Sequence, residues 1–153
     1  MPKQSAGILL FRRRNGRLEV FLVHPGGPFF AAKDHGVWTI PKGEYTSDED
    51  ALTAARREFQ EETGFPLSGE FLPLETVRQN SGKIVSGWAV EGDCDPAKLA
   101  SNTCPIEWPP RSGRQIEIPE VDRGEWFSID EARRRMMPAQ TPFLDRLESS
   151  LNS

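Results

Sequence analysis

The chain has 153 residues, 37% of them hydrophobic and 27% charged, which predicts one globular domain over residues 1–153. Its net charge of −4 argues against nucleic acid as an obligate partner, because such proteins present a basic surface. With only two cysteines, the chain is not expected to be a disulfide scaffold. It has no long apolar stretch, which argues against a membrane partner, and no apolar leader before Phe11, which argues against export. A cytoplasmic location is therefore expected.

The first predicted elements are two β-strands joined by a tight turn. Residues 4–11 (QSAGILLF) and 18–23 (LEVFLV) are short apolar runs typical of buried strands. Asn15-Gly16 lies between them and is the dipeptide preferred in two-residue hairpin turns. The segment 25–36 (PGGPFFAAKDHG) that follows is predicted to be a loop, because it is rich in glycine and proline.

Residues 48–62 are predicted to form an α-helix that carries a cluster of acidic side chains. Ser47 or Asp48 is expected to cap the helix, and Gly64 is expected to end it. At about 100° per residue, three carboxylates fall within an arc of roughly 100°, those of Glu58, Glu61 and Glu62. These like charges repel one another, and a divalent cation that takes oxygen ligands would remove the repulsion.

The spacing around these glutamates resembles the Nudix box. Residues 43–65 (GEYTSDEDALTAARREFQEETGF) contain a glycine, five residues, a glutamate, seven residues, Arg-Glu, an apolar residue, any residue, Glu-Glu, any residue, a glycine and an apolar residue. Phe65 departs mildly from the branched aliphatic residue that is more usual at the last position. The chain is thus similar to Nudix hydrolases, and the resemblance implies an α/β/α sandwich with a mixed β-sheet.

The resemblance also implies a reaction, hydrolysis of a nucleoside diphosphate linked to a further group X, with Mg²⁺ or Mn²⁺ as cofactor. By position, Glu58 and Glu62 are the strongest metal ligands. Glu61 is either a further ligand or a hydrogen-bond acceptor that supports the ligands. The Gly43 carbonyl is expected to complete the coordination. Arg57 is expected to fix the carboxylates by a charge-assisted hydrogen bond rather than to contact substrate.

The general base is left open between two glutamates. Glu58 is one candidate, and Glu120 is the other, because a glutamate six residues before the Trp of the closing strand serves as a late metal ligand or base in some members of the family. Three other acids are weaker alternatives: Glu107, Glu117 and Glu125.

The segment that leads into the box, Trp38-Thr39-Ile40-Pro41-Lys42-Gly43, resembles that of diadenosine polyphosphate hydrolases. Lys42 would meet a substrate phosphate or would be a solvated loop lysine, and the residues alone favour neither. Such enzymes often carry a tyrosine shortly beyond the box, which is absent here because Tyr45 is the only tyrosine. The proline found at a similar place in many ADP-ribose pyrophosphatases is absent too. The substrate is predicted as a nucleotide or dinucleoside polyphosphate, and three alternatives stay open: a mutagenic-nucleotide sanitiser, a cap-removing enzyme and an inositol-phosphate enzyme.

Residues 71–78 and 83–90 are predicted to be strands, whereas residues 91–119 lack periodicity and are predicted to be a long irregular loop. Trp108, Arg111 and Arg114 in this loop would stack on a base and bind phosphates. The alternative is a surface loop pinned by Trp108 alone.

The C-terminal part is predicted to contain a closing strand at 120–127, a helix at 129–137 and a last helix at 139–151. Ser128 and Glu131 have the spacing of a capping box at the start of the first of these helices. The Trp-Phe-x-x-x-Glu-Ala pattern here also resembles the Nudix family. The remaining cysteines and histidines belong to no recognisable site. Cys94 and Cys104 are expected to be free thiols, and His24 and His35 are expected to have structural or solvent roles.

Two function classes follow. The first is an active metal-dependent hydrolase with a nucleotide-like small molecule as its partner. The second is a non-catalytic nucleotide-sensing or partner-binding Nudix module, which usually shows loss of box carboxylates. The box is intact here, which favours the enzyme. The sequence leaves the oligomeric state open, with a homodimer as one option.

Overall fold

The computed structural model describes residues 3–152, which contain eight β-strands, three α-helices and two 3₁₀ turns. The strands are β1 (Gln4–Arg14), β2 (Arg17–Pro25), β3 (Lys42–Glu44), β4 (Leu72–Arg78), β5 (Ile84–Glu91), β6 (Thr103–Glu107), β7 (Gln115–Pro119) and β8 (Val121–Ser128). The helices are α1 (Ala51–Thr63), α2 (Ile129–Arg135) and α3 (Pro142–Leu151), and the 3₁₀ turns are Pro96–Lys98 and Pro138–Gln140. No helix within residues 3–152 is long and apolar enough to cross a membrane.

The main sheet is mixed, with the strand order β4-β5-β1-β2-β8. β1 and β5 are parallel, and the other neighbours are antiparallel. The predicted hairpin of β1 and β2 is confirmed: Asn15 and Gly16 have φ values of 55° and 76°, as a type I′ turn requires.

β1 and β2 pair with each other only near their turn, and another segment fills the space between them. β1 pairs with β2 from Phe11 to Arg14 but with β3 from Ser5 to Gly7. Thr39 also exchanges two backbone hydrogen bonds with Val23 of β2, at 2.9 and 3.0 Å. The segment 39–44 is therefore held by both central strands.

The two faces of the sheet bury separate apolar clusters. Successive residues of β1 point to opposite faces. Ala6, Ile8 and Leu10 belong to the cluster packed under α1, whereas Leu9 and Phe11 belong to the cluster under α2 and α3. The predicted α/β/α sandwich with a mixed sheet is thus confirmed.

α1 begins at Ala51, later than the predicted residue 48. Asp50 is the N-cap, since its carboxylate accepts a hydrogen bond from the Thr53 N–H at 3.2 Å. The expected caps Ser47 and Asp48 lie before the helix. Gly64 ends the helix as predicted, with φ 78° and its N–H donating to the Gln60 carbonyl at 2.8 Å.

The prediction of an irregular segment over residues 91–119 is wrong in part. β6 and β7 form a two-stranded antiparallel hairpin, separate from the main sheet, in which Thr103 pairs with Pro119 and Glu107 with Gln115. One hairpin face is mostly half-buried and contains Cys104, Ile106, Ile116 and Ile118, while the opposite face is exposed. The alternation was missed because prolines interrupt it, and proline is tolerated here since both strands are edges.

The C-terminal helices are shorter than predicted. α2 ends at Arg135, and only half of the capping box forms: Ser128 Oγ accepts from the Glu131 N–H at 3.2 Å. The Glu131 carboxylate instead accepts hydrogen bonds from Arg134 and Arg135. α3 begins only at Pro142, because proline fits the first turn of an α-helix but not its interior.

Candidate active site

The acidic face of α1 lies against β3. Glu58 and Glu62 are buried, with 9% and 8% of their surface exposed. The Glu58 carboxylate lies so close to Gly43 that a Cβ atom on residue 43 would overlap it. Glu62 Oε1 accepts a hydrogen bond from the Lys42 backbone N–H at 3.3 Å. Residue 43 must therefore be glycine if Glu58 is to keep this position.

Arg57 holds carboxylates of the helix and is itself held by Glu49. Its Nη1 donates to Glu58 at 2.9 Å and to Glu61 at 3.2 Å. Its Nε and Nη2 donate to the two carboxylate oxygens of Glu49 at 2.9 and 2.8 Å. A bidentate pair of this kind fixes the plane of the guanidinium group, and through it the orientation of the Glu58 carboxylate. Glu61 is exposed and faces Arg57.

Glu120 precedes β8 and is fixed to the C-terminal end of α1. Its backbone N–H donates to the Asn102 carbonyl at 3.0 Å, and the Asn102 N–H donates to the Glu61 carbonyl at 2.9 Å. The last carbonyls of a helix lack partners within the helix, and the chain around Asn102 satisfies this one. Two hydrogen bonds thus connect the backbone of Glu120 to that of Glu61.

Negative charge is concentrated where α1, β3 and the start of β8 meet. Burial raises the pKa of Glu62 to about 8, and the charges of Glu120 and Glu58 act in the same direction. The Lys42 ammonium opposes this effect. Burial also raises the pKa of Glu58, against the hydrogen bond from Arg57. Glu58 and Glu120 are therefore close enough to Glu62 for their charges to disfavour its ionisation.

Lys42 contributes the cationic side chain of this site. Burial lowers the pKa of its ammonium group, and the charge of Lys83 acts in the same direction. Glu44 forms an ion pair with Lys83 at 3.3 Å instead. Within residues 3–152, the Lys42 ammonium has no ion pair shorter than 4 Å. It is thus a mostly buried cation that lacks a close anion.

The donor set suits a hard divalent cation. The side chains as they stand in residues 3–152 contain no cluster of three or more His, Cys, Asp or Glu arranged to hold a metal ion. Arg57 and the Lys42 N–H bind the carboxylates of Glu58 and Glu62 at present. Carboxylate and carbonyl oxygens are the ligands of Mg²⁺ and Mn²⁺, and the lack of a side chain at Gly43 lets the Glu58 carboxylate approach the backbone there.

Comparison with protein families matches residues 1–147 to the NUDIX domain. The chain belongs to the Nudix family. Family membership makes it a pyrophosphohydrolase, an enzyme that hydrolyses derivatives of nucleoside diphosphates. Comparison with curated proteins gave no match.

Solved structures similar to this Nudix domain show the same fold at low identity. C. elegans Ap4A hydrolase in a binary complex is 20% identical over 98% of both chains, with a TM-score of 0.66. The NUDIX domain of Shewanella oneidensis NrtR, complexed with ADP ribose, is 17% identical over 99% of this chain and 89% of that one, with a TM-score of 0.67. A mutT/nudix family protein from Listeria innocua is 18% identical over 99% and 96%, with a TM-score of 0.64.

The three expected substrate contacts of the second half lie at the tip of the β6–β7 hairpin. The Trp108 N–H donates to the Arg114 carbonyl at 2.9 Å, and the Arg111 N–H donates to Glu107 at 2.9 Å. Arg111 and Arg114 are exposed, and Trp108 is half-buried. At about 3.3 Å per residue, the five residues of β7 place this tip roughly 13 Å along the strand from the root beside Glu120.

Glycines and prolines predict a loop over residues 25–36, but no local pattern indicates that part of it lies next to Glu120; we define this part, residues 26–33, as the aromatic loop. The Gly26 N–H donates to the Glu120 carbonyl at 3.0 Å, which ties the loop to the site. Phe29 of this loop is 61% exposed, and the Lys33 ammonium lies 3.8 Å from the centre of its ring. An exposed phenylalanine in a glycine-rich loop was the one available signal.

Proposed function

We propose that this Nudix domain is a Mg²⁺- or Mn²⁺-dependent hydrolase of nucleotide-like pyrophosphates. The observation that carries the proposal is a pair of buried carboxylates beside β3, that of Glu58 against Gly43 and that of Glu62 at the Lys42 N–H. Burial raises the pKa of both, and the charge of Glu120 acts in the same direction. Buried acidic groups with raised pKa values, sited beside a lysine, are typical of an active site. A bound cation would offset their repulsion.

One group of residues would bind the cation, and a second group would keep these ligands in place. Glu58 and Glu62 would hold the cation with the Gly43 carbonyl, and Glu61 would stay a supporting acceptor through Arg57. The cation, when bound, neutralises charge on the phosphate oxygens and favours ionisation of water. Arg57, fixed by Glu49, keeps the Glu58 carboxylate in place.

Glu120 is the better candidate for the base. The Glu58 carboxylate already accepts a hydrogen bond from Arg57 through Oε1, so this oxygen is occupied. Within residues 3–152, the Glu120 carboxylate accepts no hydrogen bond. In the proposal, Glu120 therefore takes the proton from the attacking water while the substrate phosphate is held by Lys42.

Nucleotide-like substrates with anionic phosphate chains suit this site. Lys42 is a buried cation without a close anion, and Lys83 adds a second positive charge beside it. Trp108, Arg111 and Arg114 are proposed to contact the base or group X when the hairpin covers the site. The names of the structural neighbours, an Ap4A hydrolase and a domain complexed with ADP ribose, are consistent with this class.

The proposal is tested with Ap4A and ADP-ribose as substrates, with Mg²⁺, with Mn²⁺ and with excess EDTA. We expect hydrolysis of at least one substrate with metal and none with EDTA. Glu62→Gln is expected to lose about 100-fold or more in kcat, since loss of a charged ligand removes several kcal/mol of transition-state stabilisation.

Glu70→Gln serves as the matched control, because Glu70 is exposed and outside the site. It should behave like the wild type. Binding of ADP-ribose without hydrolysis under every metal condition would instead indicate the non-catalytic sensing module. A Glu62→Gln enzyme within about threefold of wild type at saturating Mg²⁺ would contradict the ligand assignment.

A further inference from the structure

A β-bulge interrupts β8 directly after Glu120. His24 of β2 pairs with Arg123, but the next residue, Pro25, pairs with Val121. Asp122 is thus the extra residue on β8. A bulge of this kind bends its strand and redirects neighbouring side chains, and bulges are frequent beside active sites.

His24 holds this bulge from inside the protein. The histidine is fully buried, and its Nδ1 lies 2.9 Å from the Asp122 carboxylate. Its Nε2 lies 2.6 Å from the Lys33 carbonyl, and because a carbonyl only accepts, Nε2 donates this bond. The ring also packs edge-on against Trp38, at 5.1 Å between ring centres.

The two partners of His24 belong to the two segments that border Glu120. Asp122 follows Glu120 by two residues, and Lys33 ends the aromatic loop. That loop also meets Glu120 directly, through the Gly26 N–H at 3.0 Å. A single side chain therefore closes a ring of contacts that runs from Glu120 through the bulge to the aromatic loop and back to Glu120.

An apolar residue would fill the same space without a desolvation cost. Buried polar side chains are expensive unless fully paired, and fully paired networks restrict the chain to one arrangement. Both ring nitrogens of His24 have an oxygen partner within hydrogen-bond distance. Because these hydrogen bonds lie beside the bulge, they restrict the backbone that directly follows Glu120.

We propose that His24, with Asp122, is a positioning residue for the Glu120 carboxylate. The proposal rests on the assignment of Glu120 as the base under the proposed function. His24 itself touches neither water nor substrate. It sets the direction of Glu120 by fixing the bulge that follows this residue, and it keeps the aromatic loop against the same point.

The first test is a double-mutant cycle on kcat, measured with the better of Ap4A and ADP-ribose at saturating Mg²⁺. His24→Gln is expected to lower kcat about 10- to 100-fold, since small misplacements of a catalytic group have effects of this size. In the Glu120→Gln background the same change should cost less than about threefold. Equal losses in both backgrounds would show a purely structural role and overturn the proposal.

Matched variants separate folding from positioning. His35→Gln changes the other histidine, which is exposed, and should leave kcat unchanged. Asp122→Ala removes a partly exposed side chain and serves if His24→Gln does not fold; it should reproduce the loss of kcat. Asp122→Asn keeps a hydrogen-bond partner for Nδ1 and should recover at least part of it. An Asp122→Ala enzyme with wild-type kcat would contradict the proposal.

A readout without turnover keeps this proposal apart from the proposed function. Amide hydrogen exchange by NMR should be at least about 10-fold faster at Gly26 and Glu120 in Asp122→Ala and His24→Gln, and unchanged in His35→Gln. If the wild-type protein hydrolyses neither substrate, the proposed function fails, and faster exchange still supports the positioning of Glu120. Unchanged exchange at both amides would overturn the positioning itself.

Discussion

Replacement of Gly43 by alanine should displace the Glu58 carboxylate without unfolding the protein. The added Cβ would overlap the carboxylate carbon and both oxygens of Glu58. Gly43 does not have positive φ, so the backbone itself accepts alanine. The strain therefore falls on the placement of Glu58 rather than on the fold.

The size of the effect follows from the required movement. Ordinary contact with a Cβ lies near 3.5 to 4 Å, so the carboxylate must retreat by about 1 to 2 Å. Displacements of about 1 Å at a reacting centre cost about 100-fold in rate, or roughly 2.7 kcal/mol. We expect kcat/KM of Gly43→Ala to fall by at least this factor, and the Mg²⁺ concentration for half-maximal activity to rise.

The assay is hydrolysis of Ap4A or ADP-ribose over a Mg²⁺ titration, with a thermal melt of each variant. Gly92→Ala is the control, because within residues 3–152 the only atom within 4 Å of its Cβ would be Leu10 Cδ1 at 3.0 Å, the end of a flexible side chain. Its activity should remain within about twofold of wild type. If Gly43→Ala shows wild-type kcat/KM at every Mg²⁺ concentration, the close approach of Glu58 to residue 43 has no part in catalysis.

Two further outcomes are expected. The double variant Trp108→Ala/Arg111→Ala should change the ratio of kcat/KM between Ap4A and ADP-ribose with Mg²⁺ dependence nearly unchanged, and an unaltered ratio would count against a recognition role for the hairpin tip. Burial raises the pKa of Cys94 from 9.0 to about 12, so its alkylation at pH 8 should be about 1000-fold slower in the native protein than in urea. Because the unfolded thiol ionises first, Cys94 should also reduce stability as pH rises from about 9 towards 12, and rapid native alkylation would refute this account.

Local features of the sequence predicted the parts of the site that lie on one element. Glu58 and Glu62 are four residues apart, so helical periodicity alone places both on one face, and Arg57 lies within reach of Glu61 for the same reason. The Asn15-Gly16 turn likewise depends on two adjacent residues. Such predictions succeed because the geometry involved spans a single turn of chain.

The remaining parts depend on contacts between distant segments. Glu120 is held by a hydrogen bond to Asn102, and His24 lies against Asp122. The partners in each pair are far apart in sequence, so no local pattern predicts either contact. The hairpin of β6 and β7 also escaped prediction, because its alternation is carried by a few isoleucines among prolines. Its pairing becomes visible only once the two strands lie side by side.

The separate two-stranded sheet has a consequence for how this domain could diversify. Thr103 and Pro119 pair across the root of the β6–β7 hairpin, so this segment leaves and rejoins the body of the protein at adjacent points. Its strands form no ladder with the main sheet. An exchange or lengthening of the hairpin would therefore alter neither the strand order of the sandwich nor the register of β8. If the hairpin tip contacts substrate as proposed, its replacement would change substrate preference while the acidic helix and Glu120 stay the same.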